Sequence, residues 1–538
     1  MSGAPRGQRP PAGTEAGAAA LLGWLTDPDA PRLCLLAGGP GRDTSELLAW
    51  LATFGARSAS RRGRSARVLV PLAGQSALGA AWALANRLGV VARTPGELVR
   101  VLATAETRRV VLLLTDLDAA AEPGGCAELL AELAGSGRVR MVVETTPDTP
   151  AHTLLAARRV TLVRLDGRAA PGGGPAAPPG GARPPEPGPD PADPVAVCAA
   201  DPVRVTSAYA ADTEEDHGGL RSAWLRAGQS LSREQTPADR ALLLLGVLGD
   251  GADPRLRPTL AELAAASPWR MRWTRVRGDV TPPWPGPVTS LGVGRGGLLV
   301  AGPTDTVTLL DPDDAHPVGT PASAPGGRVK ALAPAPDGAV LLLDERGRLH
   351  TVRGAVPRPP YLERLTEAVA ATLTRHPGTA LAAIAGSVVV GDRLGSVHAF
   401  GLTGMHQAAL HSGRVTAVTA VETPRPFVCS GGADGTVRLW VPGREPRPGP
   451  FTARDAAVVA LHAMPTGAGP ALAVAWADGL VELRHLDAGT RLHHRPGPPV
   501  RAVAVTPDGA LVVGMDEVLE CLEPARPAGP ASSRAPGG

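Results

Sequence analysis

The residues best placed to do chemistry lie in one turn. Gly38-Gly39-Pro40-Gly41-Arg42-Asp43-Thr44-Ser45 follows the apolar run Leu33 to Ala37 and leads into the helical pattern ELLAWLATF. Strand, glycine-rich turn and helix in that order are the context phosphate binding requires, because bare backbone amides and a helix N-terminus then point at the anion. A loop of the form GxxxxGK[ST] also needs a Gly where the backbone curls and a Lys to offset the phosphate charge. Laid on that pattern, the chain has Gly38, then Asp43 for the Gly, Thr44 for the Lys and Ser45 for the magnesium-binding hydroxyl. Lys330, the single lysine of the chain, belongs to a distant region and does not replace it. Asp43 would repel a phosphate.

Two further strands end in polar residues. Val110 to Leu114 runs into Thr115-Asp116-Leu117-Asp118-Ala119-Ala120, and Val139 to Val143 into Glu144-Thr145-Thr146-Pro147. From about Thr14 to Asp166 the chain resembles the NTPase domain of STAND-type bacterial proteins (NACHT/AAA-like). In that family a strand like VLLL ends in D-x-x-D-E, whose carboxylates hold magnesium and activate water, and a later strand is often followed by Ser-Arg-Pro. The resemblance implies a vestigial nucleotide site at Gly38, Gly39, Gly41, Ser45, Asp116 and Asp118. It also implies that the chemistry is gone: Thr44 stands for the Lys, Thr115 for the first Asp, Ala119 for the Glu and Thr146 for the Arg. The expectation is a P-loop-like α/β fold that is a pseudo-NTPase, with no catalytic residue and no cofactor, and weak Mg-ATP binding by the turn's amides left open.

The elements that position these residues read in order. Residues 1–14 are Pro, Gly and Arg rich and read as disordered. The α/β domain spans 15–167, with a helix from about Glu15 to Leu25, a strand Arg67 to Leu72, a helical GAAWALANRLG, and a Thr94 N-cap with Pro95 and Glu97 behind it. Residues 168–194 are almost wholly Pro and Gly and read as a flexible linker. A helical module is expected over 195–267, with Thr236 capping and Pro237 in the first helical position. Its acidic cluster Glu214-Glu215-Asp216-His217 reads as a solvated helix start, since consecutive residues do not converge on one ion.

From 268 to 524 a unit recurs. Its first core Val falls at Val288, Val329, Val369, Val415, Val458 and Val500, a period near 40 to 45 residues. Turns such as Glu345-Arg346-Gly347, Arg393-Leu394-Gly395 and Ala433-Asp434-Gly435 each precede a period-two run. This predicts an all-β propeller of six or seven blades, closed by the stretch Arg270 to Arg277 as the outer strand of the last one. The stretch from His411 to Trp440 resembles a WD repeat. The resemblance implies that His411, Ser430, Asp434 and Trp440 form a hydrogen-bonded structural network, which fits the need of buried polar groups for partners. The tail 525–538 reads as disordered.

Composition narrows the function. The formal net charge of +3 is balanced and only 3% of residues are aromatic, which argues against single-stranded nucleic acid as ligand. Ser60-Arg61-Arg62-Gly63-Arg64 is the densest basic run, and an adaptor to DNA or RNA would rest on it alone. Cys34, Cys126, Cys198, Cys429 and Cys521 are dispersed, so neither zinc nor a disulfide framework is implied and a reducing cytoplasm fits. No apolar run reaches the roughly 20 residues of a membrane span. The expectation is a bacterial, cytoplasmic, non-catalytic scaffold whose propeller binds a partner protein, the alternative being a nucleotide-binding STAND-like switch. Oligomeric state is not encoded legibly.

Overall fold

A computed structural model of the chain describes residues 9–38, 42–54, 66–104, 110–137, 139–165, 188–277, 287–302, 306–323, 327–352, 358–384, 386–402, 404–422 and 426–525. Gly39, Gly41, the loop Ser60–Arg64, residues 168–187 of the expected linker, and residues 1–8 and 526–538 of the two expected disordered ends lie outside the described residues, as do the side chains of Arg42 and Asp43. The chain forms two compact units, residues 1–217 with 231–234, and residues 218–230 with 235–538.

The first unit is built on five parallel strands, β1 (Leu33–Ala37), β2 (Ala66–Pro71), β3 (Val110–Thr115), β4 (Arg140–Thr145) and β5 (Val160–Arg164), in the order β2-β3-β4-β1-β5. Its helices are α1 (Glu15–Thr26), α2 (Arg42–Thr53), α3 (Ala77–Leu88), α4 (Pro95–Thr104), α5 (Pro123–Gly135), α6 (Pro150–Ala156), α7 (Pro194–Ala199) and α8 (Pro202–Ala211). The inner strands β1, β3 and β4 are apolar nearly throughout because both faces of the sheet are covered there. Leu21, Trp24, Leu47 and Leu51 of α1 and α2 pack on Cys34, Leu36 and Val142. Leu84, Leu98, Leu130 and Leu155 of α3, α4, α5 and α6 pack on Leu33, Leu35 and Val143 opposite. The chain leaves β1 on one face and returns through the others on the opposite face. The order therefore reverses at the carboxyl end of β1, where open α/β sheets hold ligands.

The stretch read as one helical module is divided between the two units. In the first, Ser207 Oγ of α8 donates to Gly74 C=O at 2.7 Å. The other helices, α9 (Leu220–Leu231), α10 (Pro237–Val247) and α11 (Leu256–Leu263), belong almost wholly with the propeller. There Thr274 Oγ1 donates to Gly246 C=O in α10 at 2.5 Å, and Ser230 Oγ in α9 to Arg495 C=O at 2.6 Å. No helix among the described residues is long and apolar enough to cross a membrane.

The second unit is a six-bladed β-propeller. Strand β6 (Trp269–Val276) pairs antiparallel with Val518–Pro524 as the outermost strand of blade six, so the ring is closed by a strand from its own beginning. Inner strands start at Ser290, Val329, Ala380, Val415, Val458 and Val500. Val369 is a correction, because it lies in a helix, α12 (Pro360–Arg375), between blades two and three. Thr366, Val369 and Leu373 repeat at helical spacing and are buried, Val369 and Leu373 against Leu343, Leu349 and Val390. Blade two has three strands among the described residues, and α12 packs beside the third.

Candidate functional site

The switch point of the sheet gathers Gly38, Thr44, Ser45 and the ends of β3 and β4. Register places Leu36 beside Glu144 and Ala37 beside Thr145. Side chains alternate along a strand, and Val142 lies in the core under α2, so Glu144 also points to that side. It emerges at the first turn of α2. Thr44 Oγ1 donates to Glu144 Oε1, and Ser45 Oγ to Oε2 at 3.0 Å. A carboxylate is thus held by the two hydroxyls at a helix N-terminus, an arrangement that the helix dipole favours by roughly 0.3–1 kcal/mol. Gly38 is required here on close-approach grounds: a Cβ on it would lie 2.5 Å from Thr44 Cγ2.

The acidic residues after β3 are engaged in structure. Asp118 Oδ2 accepts the Thr146 N–H at 2.6 Å, joining the loops that follow β3 and β4. Asp116 adopts a left-handed backbone, φ 59°, at the start of a tight turn whose C=O accepts Ala119 N–H at 3.1 Å. Of the expected nucleotide residues, Gly38, Ser45, Asp116 and Asp118 all sit at this end of the sheet. Ser45 and Asp118 are bonded to Glu144 and Thr146, not to each other. Sequence reasoning passed over Glu144. Its signal was an acid directly after an apolar strand, but its target lies 100 residues away and depends on sheet register.

In blade four, His411 Nε2 bonds Ser430 Oγ at 2.8 Å, and Nδ1 faces Asp434 Oδ1 at 3.1 Å and Thr436 Oγ1 at 2.9 Å. Asp434 also accepts the Ser412 and Thr436 backbone N–H groups, at 3.0 and 3.1 Å. Gly435 follows with φ 73°, as a tight turn demands. Trp440 is a correction. Register sets it opposite Val428 while Ser430 faces Arg438, so its indole enters the apolar core and Nε1 donates to Arg444 C=O at 2.9 Å. Thr436 is the fourth member in its place. Burial holds His411 below its ordinary pKa, against the pull of Asp434. Burial pushes Asp434 the other way, but the Ser412 and Thr436 donors prevail and hold its carboxyl low.

Blades two and three carry a related device that was not singled out from sequence, although Asp-Glu-Arg-Gly-Arg-Leu-His and Asp-Arg-Leu-Gly-Ser-Val-His share one spacing. Asp344 Oδ1 accepts the N–H groups of Arg346 and Arg348, both at 2.9 Å, and its Oδ2 meets His350 Nε2 at 2.9 Å. Asp392 does the same with Leu394, Ser396 and His398. The adjacent His493 and His494 separate as strand neighbours do. His494 is buried on Glu520 at 2.7 Å, while His493 is exposed near Glu482.

The six inner strands enclose a central channel of about 480 Å³, lined mainly by Ala, Val, Leu and Pro with Arg295, Glu422, His462 and Arg501. Burial takes His462 down to about 4, and its Nδ1 accepts Val505 N–H at 3.1 Å, so the ring is neutral. Burial pushes the Cys34, Cys126 and Cys521 thiols up to about 12, so they stay protonated. Of the acidic cluster, Glu215 and His217 do converge, a correction, together with Asp212 from just before it, and His217 Nε2 lies on Asp212 Oδ2 at 2.9 Å. Asp212 is further held by the Glu214 and Glu215 N–H groups, so an Asx turn and its histidine account for the grouping.

No protein-family model matches the chain, and no curated protein matches it. Among solved structures it is similar to the WD40 β-propeller domain of Doa1, at 11% identity over 48% of this chain and 98% of that one, TM-score 0.35. It is also similar to the β-propeller domain of Myceliophteria thermophila Cps50 (Swd1), at 14% identity over 44% and 84%, TM-score 0.31. The computationally designed Ika8 protein matches at 19% identity over 44% and 70%, TM-score 0.29.

Proposed function

We propose that this chain is a non-catalytic protein-interaction scaffold in which the propeller holds a partner protein and the α/β unit is a pseudo-NTPase of STAND-like descent. The observation that carries the second half is Glu144. Where a nucleotide-binding sheet would present a helix N-terminus to phosphate, this one presents it to its own carboxylate, bonded to Thr44 and Ser45. A phosphate entering there meets like charge and must displace two hydrogen bonds. The first half rests on the closed propeller, whose loops and rims are left for recognition by fold-level analogy. Five buried free cysteines accord with a reducing, cytoplasmic setting.

Calorimetry of the full-length chain with Mg-ATP and Mg-ADP tests the pseudo-NTPase reading, and no heat up to millimolar nucleotide is the expected result. A second reading, a nucleotide-binding switch with little hydrolysis, is favoured by one observation: Gly38, Ser45, Asp116 and Asp118 all lie at the switch-point end of the sheet. Micromolar binding by the wild type would establish it instead. The scaffold half is tested by crosslinking in the native cell. The full chain should capture a reproducible partner through propeller peptides, and capture through the α/β unit alone would count against it.

A further inference from the structure

In each blade the start of the inner strand lies beside the end of the second strand, as Val329 beside Asp344, Ala380 beside Gly391 and Val415 beside Gly432. One rim of the propeller is therefore built from the segments entering the inner strands and from the turns between second and third strands. On blades two to four that rim is basic. Arg328, Arg346, Arg393 and Arg414 are exposed, and Lys330 is half-buried among them. Backbone bonds hold the segments together: Glu345 N–H donates to Arg328 C=O at 3.0 Å, Gly378 N–H to Gly347 C=O at 3.0 Å, and Val415 N–H to Asp392 C=O at 2.9 Å. The Lys330 ammonium is lowered from its usual pKa by burial first, then by Arg414 and Arg393, against the opposing pull of Asp344, so these three cations share one field.

The carboxylates on these turns do not answer that charge fully. Asp344, Asp392 and Asp434 keep their charge but are turned inward, each onto a histidine and backbone N–H groups, so the five cations face three inward carboxylates and one exposed acid, Glu345. Among the described residues none of the five cations forms an ion pair. Elsewhere on the propeller the matching cations are compensated, Arg454 and Arg495 by Asp478 and Arg501 by Asp516. At the centre of the basic stretch stands Leu394, 86% exposed. It is fixed outward, because Leu394 N–H and Ser396 N–H are both held by Asp392 Oδ1 at 2.8 Å.

We propose that the rim of blades two to four, Arg328, Lys330, Arg346, Arg393 and Arg414 around Leu394, is the docking surface for an acidic protein segment that carries an apolar side chain. The assignment rests on the scaffold reading and gives it a partner chemistry. Cations in excess over the nearby carboxylates, on a rigid frame, steer and orient an anionic partner. A rigidly presented leucine gains only from an apolar neighbour. A nucleic acid would use the cations but not the leucine, and the turns 345–347 and 392–395 offer no aromatic ring for a base to stack on.

The test uses the full chain and a fluorescein-labelled Glu/Asp-rich peptide about 12 residues long with one central leucine, followed by anisotropy. Wild type should bind it in a salt-sensitive manner. Arg393→Glu with Arg414→Glu should weaken binding about tenfold or more, and the exposed-strand control Arg491→Glu should leave it unchanged. Leu394→Ser should abolish the preference for this peptide over one with serine at its centre. Equal or tighter binding of a single-stranded oligonucleotide of the same charge overturns the assignment in favour of nucleic acid. Equal weakening by Arg491→Glu overturns it in favour of bulk charge. If the peptide does not bind while crosslinking still captures a partner through the propeller of the Arg393→Glu/Arg414→Glu protein, this surface is wrong and the scaffold reading stands. If neither occurs, the scaffold reading fails as well.

Discussion

Both units answer the same problem, a carboxylate at the end of an apolar strand, in different ways. In the propeller the answer is local and repeated: Asp344 and Asp392 each cap the turn that follows and take a histidine six residues on. In the α/β unit the answer is remote and single, with Glu144 reaching hydroxyls 100 and 99 residues earlier in the chain. The local device makes the turn and stabilises it. The remote one occupies a place where open α/β sheets bind ligands, so it bears on function more than on folding. Removing each should therefore give a different kind of effect.

The largest effect is expected in blade four. Asp434→Ala strips partners from His411, Ser412 N–H and Thr436 N–H together, and should lower stability to urea by about 3 kcal/mol. An effect under about 1 kcal/mol would show that the network is replaceable by water. Acid comes next. His462 has its folded pKa depressed to about 4 from 6.5, so its stabilising contribution is complete above the ordinary histidine range and is lost as pH falls from there toward 4. His411 is depressed in the same sense. At about pH 5 the His462 deficit amounts to roughly 2 kcal/mol, visible as a lower melting midpoint that His462→Leu should flatten. The depressed carboxyls of Asp344, Asp392 and Asp434 act in a lower window, below their ordinary range.

Asp392→Ala removes one local cap, and a loss of about 1–2 kcal/mol is expected in the same urea titration. The smallest change in stability belongs to Glu144→Gln, about 0.3–1 kcal/mol, because the amide oxygen still accepts while the charge at the helix end is gone. Its readout is different in kind. Inorganic phosphate or Mg-ATP, expected to give no heat with the wild type, should give measurable millimolar binding with Glu144→Gln. A silent variant would mean that the missing lysine alone keeps the site empty.

Much of the propeller could be read before folding. Period, turn chemistry and the closing strand β6 are local patterns, and they located five of the six inner strands and the outer strand of blade six. Val369 was misplaced because a helix at the right distance mimics the period when only one apolar position per unit is matched. Trp440 was misassigned because a two-residue step in register decides whether its indole meets Ser430 or the apolar core. The expected helical module divided between the units because each helix follows the surface that buries its apolar face, and propensity does not say which surface that is.

By itself the sequence determined most of the strands and their turns, since strand alternation, turn residues and repeat spacing are properties of neighbours along the chain. Only the tertiary structure decided that Glu144 meets the N-terminus of α2, that Asp118 is committed to Thr146, and that five cations collect around Leu394 on one rim. Those outcomes depend on register and on the closure of a sheet and a ring, which bring together residues whose separation in sequence carries no sign of their meeting.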